Sequence, residues 1–415
     1  MKKIWIFLFA CIVCGGLHAQ RTEVHTPHIR TVQVIANNDY MAPAVIRLGE
    51  DESVEISFDH LTHDYHRYQY ILTHCNADWT PSDLSETEYL DGFNDNPIED
   101  YDISVNTTLP YTHYRLTLPN DQVRLKLSGN YRLTVYDDAE GKDKPAFSTC
   151  FRVLEKEVNV SAQVSSDTEI DRNKTHQQVS FSIQHKGYPI RNPQNEVKVH
   201  VLQDNRTDNW VTNLKPSYVG PDQLRYEHNR ALIFPAGNEY RRFEMVSTRY
   251  ASQGVESIRY HTPYYHVTLR PAEPRILNYS YDQDQNGRFV IRYDEAVDNN
   301  TEADYFFVHF SLLWENPLSE GDFYLQGAFT YDDFNEGNRL KYNPETHAYE
   351  GSQLLKQGAY NYQYLYVAPG STSGSTAQAE GNYYETENEY LILVYHRAFG
   401  ERYDRLIGMQ LVVND

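Results

Sequence analysis

Residues 73–82 read THCNADWTPS, and their reading decides the fold. His74 stands beside Cys75, with Asp78 and Trp79 close behind. The pair suits a thiolate nucleophile with its base, a metal site, or the end of a strand. A nucleophile needs its base within hydrogen-bond reach. Upstream, Tyr68, Tyr70 and Leu72 alternate with other residues as a strand does. In a strand, neighbouring side chains point to opposite faces. His74 and Cys75 then diverge, and the catalytic reading fails. The stretch is expected to end a strand, turn at Asn76, Ala77 and Asp78, and pack Trp79 back onto the sheet.

The same pattern runs through the chain. Val54, Ile56 and Phe58 alternate with polar residues, as do Val179, Phe181 and Ile183, and Val197, Val199 and Val201. Tyr360, Tyr362, Tyr364 and Tyr366 share one strand face, and Leu391–Tyr395 is dense enough for a strand buried on both sides. Asn, Asp, Gly and Pro separate these runs, and helical periodicity is nearly absent. Many short strands with turn signals between them predict an all-β fold of tandem immunoglobulin- or fibronectin-like β-sandwich modules. The chain holds 35 Tyr against 17 Phe and 4 Trp. Tyrosine suits sheet faces that bury the ring and wet the hydroxyl.

The first 19 residues combine Lys2 and Lys3 with the apolar run Ile4–Val13 and a Leu17-His18-Ala19 cleavage site. They are expected to be a signal peptide, too short to span a membrane. Breaks are expected at Leu154–Glu157 and at the proline-interrupted Arg270–Arg275. They divide the exported chain into modules 20–155, 156–270 and 275–415. Ala368–Asn382 is rich in Gly and Ser and reads as a flexible loop.

The formal net charge is −21, which argues against nucleic acid and anionic lipid as partners. Cys75 and Cys150 remain after cleavage, either as separate thiols or as one disulfide. His60, His63 and His66 recur every third residue without a metal-site motif and are expected to be solvated loop histidines. Asp282, Asp284 and Asn286 with Gly287 occupy the first positions of a calcium loop, but Tyr293 stands where a bidentate Glu belongs. Asn286-Gly287 between Tyr279–Tyr281 and Arg288–Tyr293 equally predicts a hairpin. GxGxxG, phosphate-loop, GxSxG and HExxH motifs are all missing. No catalytic residue and no cofactor is expected.

Three longer stretches carry a family resemblance: YQYILTHCNADWTPSDLSETEYLDGF (68–93), IEDYDISVNTTLPYTHYRLTLPN (98–120) and LKLSGNYRLTVYDD (125–138). With AGNEYRRFE (236–244) and FYLQGAFTYDDFNEGNRLKYN further on, the chain resembles the plug protein of the bacterial type IX secretion system. In those stretches His74, Cys75, Asn76, Asp78, Trp79, Tyr111, His113, Tyr114, Gly129 and Tyr131 form a structural signature. The resemblance implies a non-enzymatic periplasmic protein, peripheral to the inner face of the outer membrane. Its partner would be the large β-barrel translocon, whose inner mouth it closes when no cargo is present. It implies no nucleic acid, no membrane span and no small-molecule substrate. The third module also resembles a glucan-binding sandwich, with Tyr331 or Phe334 as the sugar platform; carbohydrate binding or an envelope scaffold is the alternative function.

Overall fold

The computed structural model describes residues 20–414. The expected signal peptide lies outside them. The fold is all-β and built of several sheets, with only one-turn helices between strands. Among the described residues no helix is long and apolar enough to cross a membrane.

Two sheets make the first unit. One contains Tyr68–Cys75, Gly129–Asp137 and Pro145–Leu154; the other contains Ile29–Ala36, Val54–His60, Thr112–Leu118 and Asp100–Ile103. Strand alternation turns Tyr70, Leu72, Leu133 and Phe151 from one sheet, and Ile56, Phe58 and Tyr114 from the other, into a common core. Every strand of these sheets lies within residues 23–154.

The rest of the chain does not fall into two successive modules, and the expected division at residues 270–275 is corrected by the strand pairing. Val197–Gln203 pairs antiparallel with Glu389–His396, which pairs with Arg405–Val413. These three strands share a core with His176–Gln184, through Ile183, Val199, Ile392 and Ile407. The C-terminal strands therefore complete the second unit. Arg241–Met245, conversely, pairs with Gly358–Val367 and belongs to the third unit's core. The prolines at 271 and 274 mark no boundary between bodies, because Ala272 bridges to Leu312 between them. In the third core, Tyr360, Tyr362 and Tyr364 point inward from one strand face, as their spacing requires.

All eight residues of Glu389–His396 are buried. Tyr390, Ile392 and Val394 face the second core. Leu391, Leu393 and Tyr395 face the other way and pack with Ala77, Val45 and Leu154 of the first unit. One strand thus supplies two apolar surfaces, and burying the second fastens the two units together.

Candidate functional site

The THCNADW stretch ends a strand, and its turn sits in the contact between the first and second units. Tyr68–Cys75 runs beside Gly129–Asp137, with His74 opposite Tyr131 and Cys75 opposite Asn130. His74 faces the Tyr89 and Tyr131 rings. Its Nδ1 is 2.9 Å from Ser82 Oγ and its Nε2 is 3.1 Å from the Ser128 carbonyl. Burial lowers its pKa to about 4. Cys75 lies on the opposite face, where burial pushes its thiol up to about 11. The two groups form no dyad, and neither is in a state suited to nucleophilic catalysis at neutral pH.

Gly129 shows why this corner needs its sequence. Its φ is 138°, and an added Cβ would lie 2.6 Å from His74 Nε2. Trp79 closes the turn at φ 64° and is 1% exposed, with the Arg152 guanidinium 5.4 Å from its ring centroid. Asp78 is exposed and accepts the N–H and the hydroxyl of Thr80.

The signature turn meets Asp404 of the second unit through the Ala77 N–H. Asp404 Oδ2 accepts the Ala77 N–H at 2.9 Å and Lys198 Nζ at 2.8 Å; its Oδ1 accepts Arg397 Nε at 2.9 Å. Burial opposes ionisation, but Lys198, the Ala77 N–H and Arg397 outweigh it and hold the carboxyl below its ordinary value. Arg397 also reaches Asn76 Oδ1 at 2.6 Å, and the Tyr395 hydroxyl donates to Asn130 Oδ1 at 2.8 Å.

A second polar node joins the first and third units. Asp59 Oδ2 accepts Lys356 Nζ at 2.7 Å and the Tyr305 hydroxyl at 2.6 Å; its Oδ1 is 2.6 Å from His113 Nδ1. Desolvation would raise the Asp59 pKa, yet Lys356 and His113 keep it lowered. Tyr111 reaches across and donates to the Ala303 carbonyl at 2.8 Å, while the Lys356 ammonium lies 4.1 Å from its ring centroid. Asp304 accepts the N–H of Thr108 at 2.7 Å. A third contact joins the second and third units: Asp208 Oδ2 accepts the Gly374 N–H at 2.8 Å, and Arg288 pairs with Glu389.

Of the signature residues, Asn76 and Tyr111 make direct hydrogen bonds across unit boundaries, and His113 does so through Asp59. Tyr114 and Tyr131 sit in the first core, their hydroxyls bonded to the carbonyls of His66 and Leu127. Asp404, Lys356, Tyr305 and Asp59 escaped sequence reading, since a lone charged residue in an alternating strand looks like any solvated position.

Some alternatives close and other expectations change. Cys75 and Cys150 are separate free thiols, as one of the two readings had it. The strand Gly129–Asp137 lies between theirs. Two strand spacings come to roughly 10 Å, beyond the ~7 Å limit for bridged Cα atoms. The calcium reading fails because the carboxylates already have partners: Asp282 pairs with Arg242, and Asp284 accepts the N–H groups of Tyr240 and Asn286. Among the described residues no group of three or more metal-ligating side chains occurs. Asn286 and Gly287 do form a turn with positive φ, but Tyr279–Tyr281 is not a strand, so the turn closes no hairpin. His60 is buried, with Nδ1 2.5 Å from the Tyr68 hydroxyl and its ring stacked on His66, so it is not a solvated loop histidine. His63 and His66 bond Ser104 and Asp137. Ala368–Asn382 is not loose throughout: Ser375 bridges to Tyr366, and Glu380 is fully buried between Arg241 and Arg275. Tyr331 packs against the first core and accepts the Val32 N–H, while Phe334 lies edge-on to Tyr324, so the expected sugar platform is not laid out.

The type 9 secretion system plug protein 1st domain matches residues 29–155, the first unit with its signature turn. A hypothetical protein from Parabacteroides merdae, known from a crystal structure, is 49% identical over 95% of this chain and 99% of its own, with a TM-score of 0.93. The chain belongs to the type 9 secretion system plug protein family. As a plug-family protein it falls in a structural family, not an enzyme family. No curated protein matches it. An alkylpurine DNA glycosylase from Pseudomonas fluorescens aligns at 12% identity over 32% of this chain and 30% of its own, with a TM-score of 0.17, and carries no argument about the plug-family fold.

Proposed function

We propose that this plug-family protein is a periplasmic, non-enzymatic block that closes the inner mouth of the type 9 outer-membrane translocon when no cargo occupies it. The observation that carries this reading, beyond family membership, is the set of buried polar contacts that ties three units into one body. A stopper must not be threaded or bent by the pore it closes, and burying ion pairs at each boundary penalises any hinge there. The Ala77–Asp404 and Asp59–Lys356 contacts both serve this end.

The units are the first from 20 to 155, the second from 156 to 236 completed by 387 to 414, and the third from 237 to 386. They are immunoglobulin- or fibronectin-like sandwiches exported behind a cleaved leader. The Tyr131 hydroxyl, bonded back to the Leu127 carbonyl four residues upstream, supports this, because Greek-key sandwiches use the same tyrosine corner. The face toward the barrel is polar and releasable, in keeping with the strongly acidic chain.

Deleting the gene in cells that carry the translocon tests this reading. Large antibiotics excluded by the outer membrane then enter, and restoring the gene excludes them again. Unchanged susceptibility in the deletion strain overturns it.

A further inference from the structure

We propose that the cavity where the three units meet binds a small oxyanion on the guanidinium of Arg152. The cavity measures about 200 Å³ and is lined by Thr22 and Arg152 of the first unit, Asn205 and Thr207 of the second, and Arg288 and Asp332 of the third. A water needs only ~15 Å³, so an ion of several heavy atoms has room.

Arg152 is 5% exposed. Among the described residues its Nε and Nη2 meet no well-aligned acceptor and it forms no ion pair; the Tyr395 hydroxyl oxygen is the neutral acceptor beside it. Other arginines around the cavity are matched: Arg21 pairs with Asp333 at 2.8 Å and Arg288 with Glu389. The Trp79 ring covers one face of the Arg152 guanidinium but offers no acceptor. Tyr395 gives its hydroxyl hydrogen to Asn130, so its oxygen can accept from Arg152, but it carries no counter-charge. Two further buried groups of this contact, Trp79 Nε1 and His200 Nδ1, also lack partners. A buried cation without a counter-charge is costly, and a guanidinium's parallel N–H groups match two oxygens of one anion.

The occupant is therefore anionic and carries at least two acceptor oxygens, as phosphate, sulfate and carboxylates do. Thr22, Asn205 and Thr207 line the same cavity from two units. Asp332 also lines the cavity, and its ionised form opposes the anion. Bound there, the ion clips the first unit to the second and raises the stability of the folded chain by mass action.

Thermal unfolding of the full exported chain, in a buffer free of oxyanions, tests the proposal with inorganic phosphate, sulfate and acetate titrated separately. At least one raises the wild-type melting temperature saturably by several degrees. Phosphate or sulfate acting alone assigns a tetrahedral ion, and acetate acting alone assigns a carboxylate. Arg152→Met abolishes the shift. If that variant does not fold, Thr207→Val, which keeps the guanidinium, raises the half-saturating concentration several-fold. No saturable shift in the wild type, an undiminished shift in Arg152→Met, or an unchanged half-saturation in Thr207→Val overturns the proposal.

Discussion

Lys356 and Asp59 stand 297 positions apart in the chain and meet at 2.7 Å, each with a side chain 1% exposed. The ammonium belongs to the third unit and the carboxylate to the first. Lys356→Met leaves Asp59 buried with one cationic partner fewer. Removing one member of a buried pair costs about 3–5 kcal/mol. We expect a loss of that order in denaturant unfolding, with Asp59→Asn in the same chain recovering part of it. A loss below about 1 kcal/mol, the value of an exposed pair, contradicts the assignment.

Asp404 does the same for the first and second units. Asp404→Ala leaves Lys198 and Arg397, which water reaches, without their carboxylate and frees the Ala77 N–H, so a loss smaller than that of Lys356→Met but above about 1 kcal/mol is expected. Tyr395→Phe removes the hydroxyl's neutral contacts with Asn130 and Arg152, and a loss of about 1 kcal/mol follows. Unfolding midpoints of the two variants check the order: Asp404→Ala must fall below Tyr395→Phe.

In the pH dependence three buried histidines oppose buried acids, of which Asp284 and Asp332, raised to about 6 by burial, act in the same sense as Glu239. Burial lowers His60 and His74 to about 4 and His200 to about 3. The unfolded chain takes up these protons at its ordinary histidine pKa of about 6.5. The folded chain takes them up only at lower pH, so stability falls as pH drops below that value. Glu239 runs the other way. Burial pushes it up to about 7 against hydrogen bonds from Tyr279 and the Glu387 N–H, so its contribution to stability grows as pH falls from 7 toward the ordinary carboxylate range. Glu239→Gln is expected to lose stability more steeply than the wild type between pH 7 and 5. An equal or shallower slope in urea titrations rejects the role given to Glu239.

The two thiols are expected to be inert. Cys75 is pushed up to about 11 and Cys150 to about 12, in both cases by burial. Iodoacetamide at neutral pH should leave both unlabelled in the folded protein and label both in denaturant. Oxidants should not join them within one folded chain. Rapid labelling of native Cys75, or a native disulfide seen by mass spectrometry, counts against this geometry.

What could be read in the sequence was local. Side chains alternate across a strand regardless of its partner, so Val54, Ile56 and Phe58 announce a strand and its inner face unaided. Glu389–His396 showed itself by density, because both faces are buried. Its partner Val197–Gln203 lies nearly half the chain away, and pairing over that distance leaves no local trace. The Asn286-Gly287 turn was legible from its need for positive φ, whereas the missing strand at Tyr279–Tyr281 was not. In the low-complexity loop, composition described the solvated half and hid Glu380, whose burial depends on Arg241 and Arg275. The signature turn was recognisable, but its role as a fastening surface required Asp404, which stands 327 positions beyond Ala77.

The central claim is that one stiff body stops the pore. Conductance of the purified translocon in a planar bilayer, with this protein added on the periplasmic side, tests it most directly. The account predicts that the wild type abolishes the open-pore current and that Lys356→Met with Asp404→Ala blocks poorly. An open-pore current unaffected by the wild-type protein would contradict it.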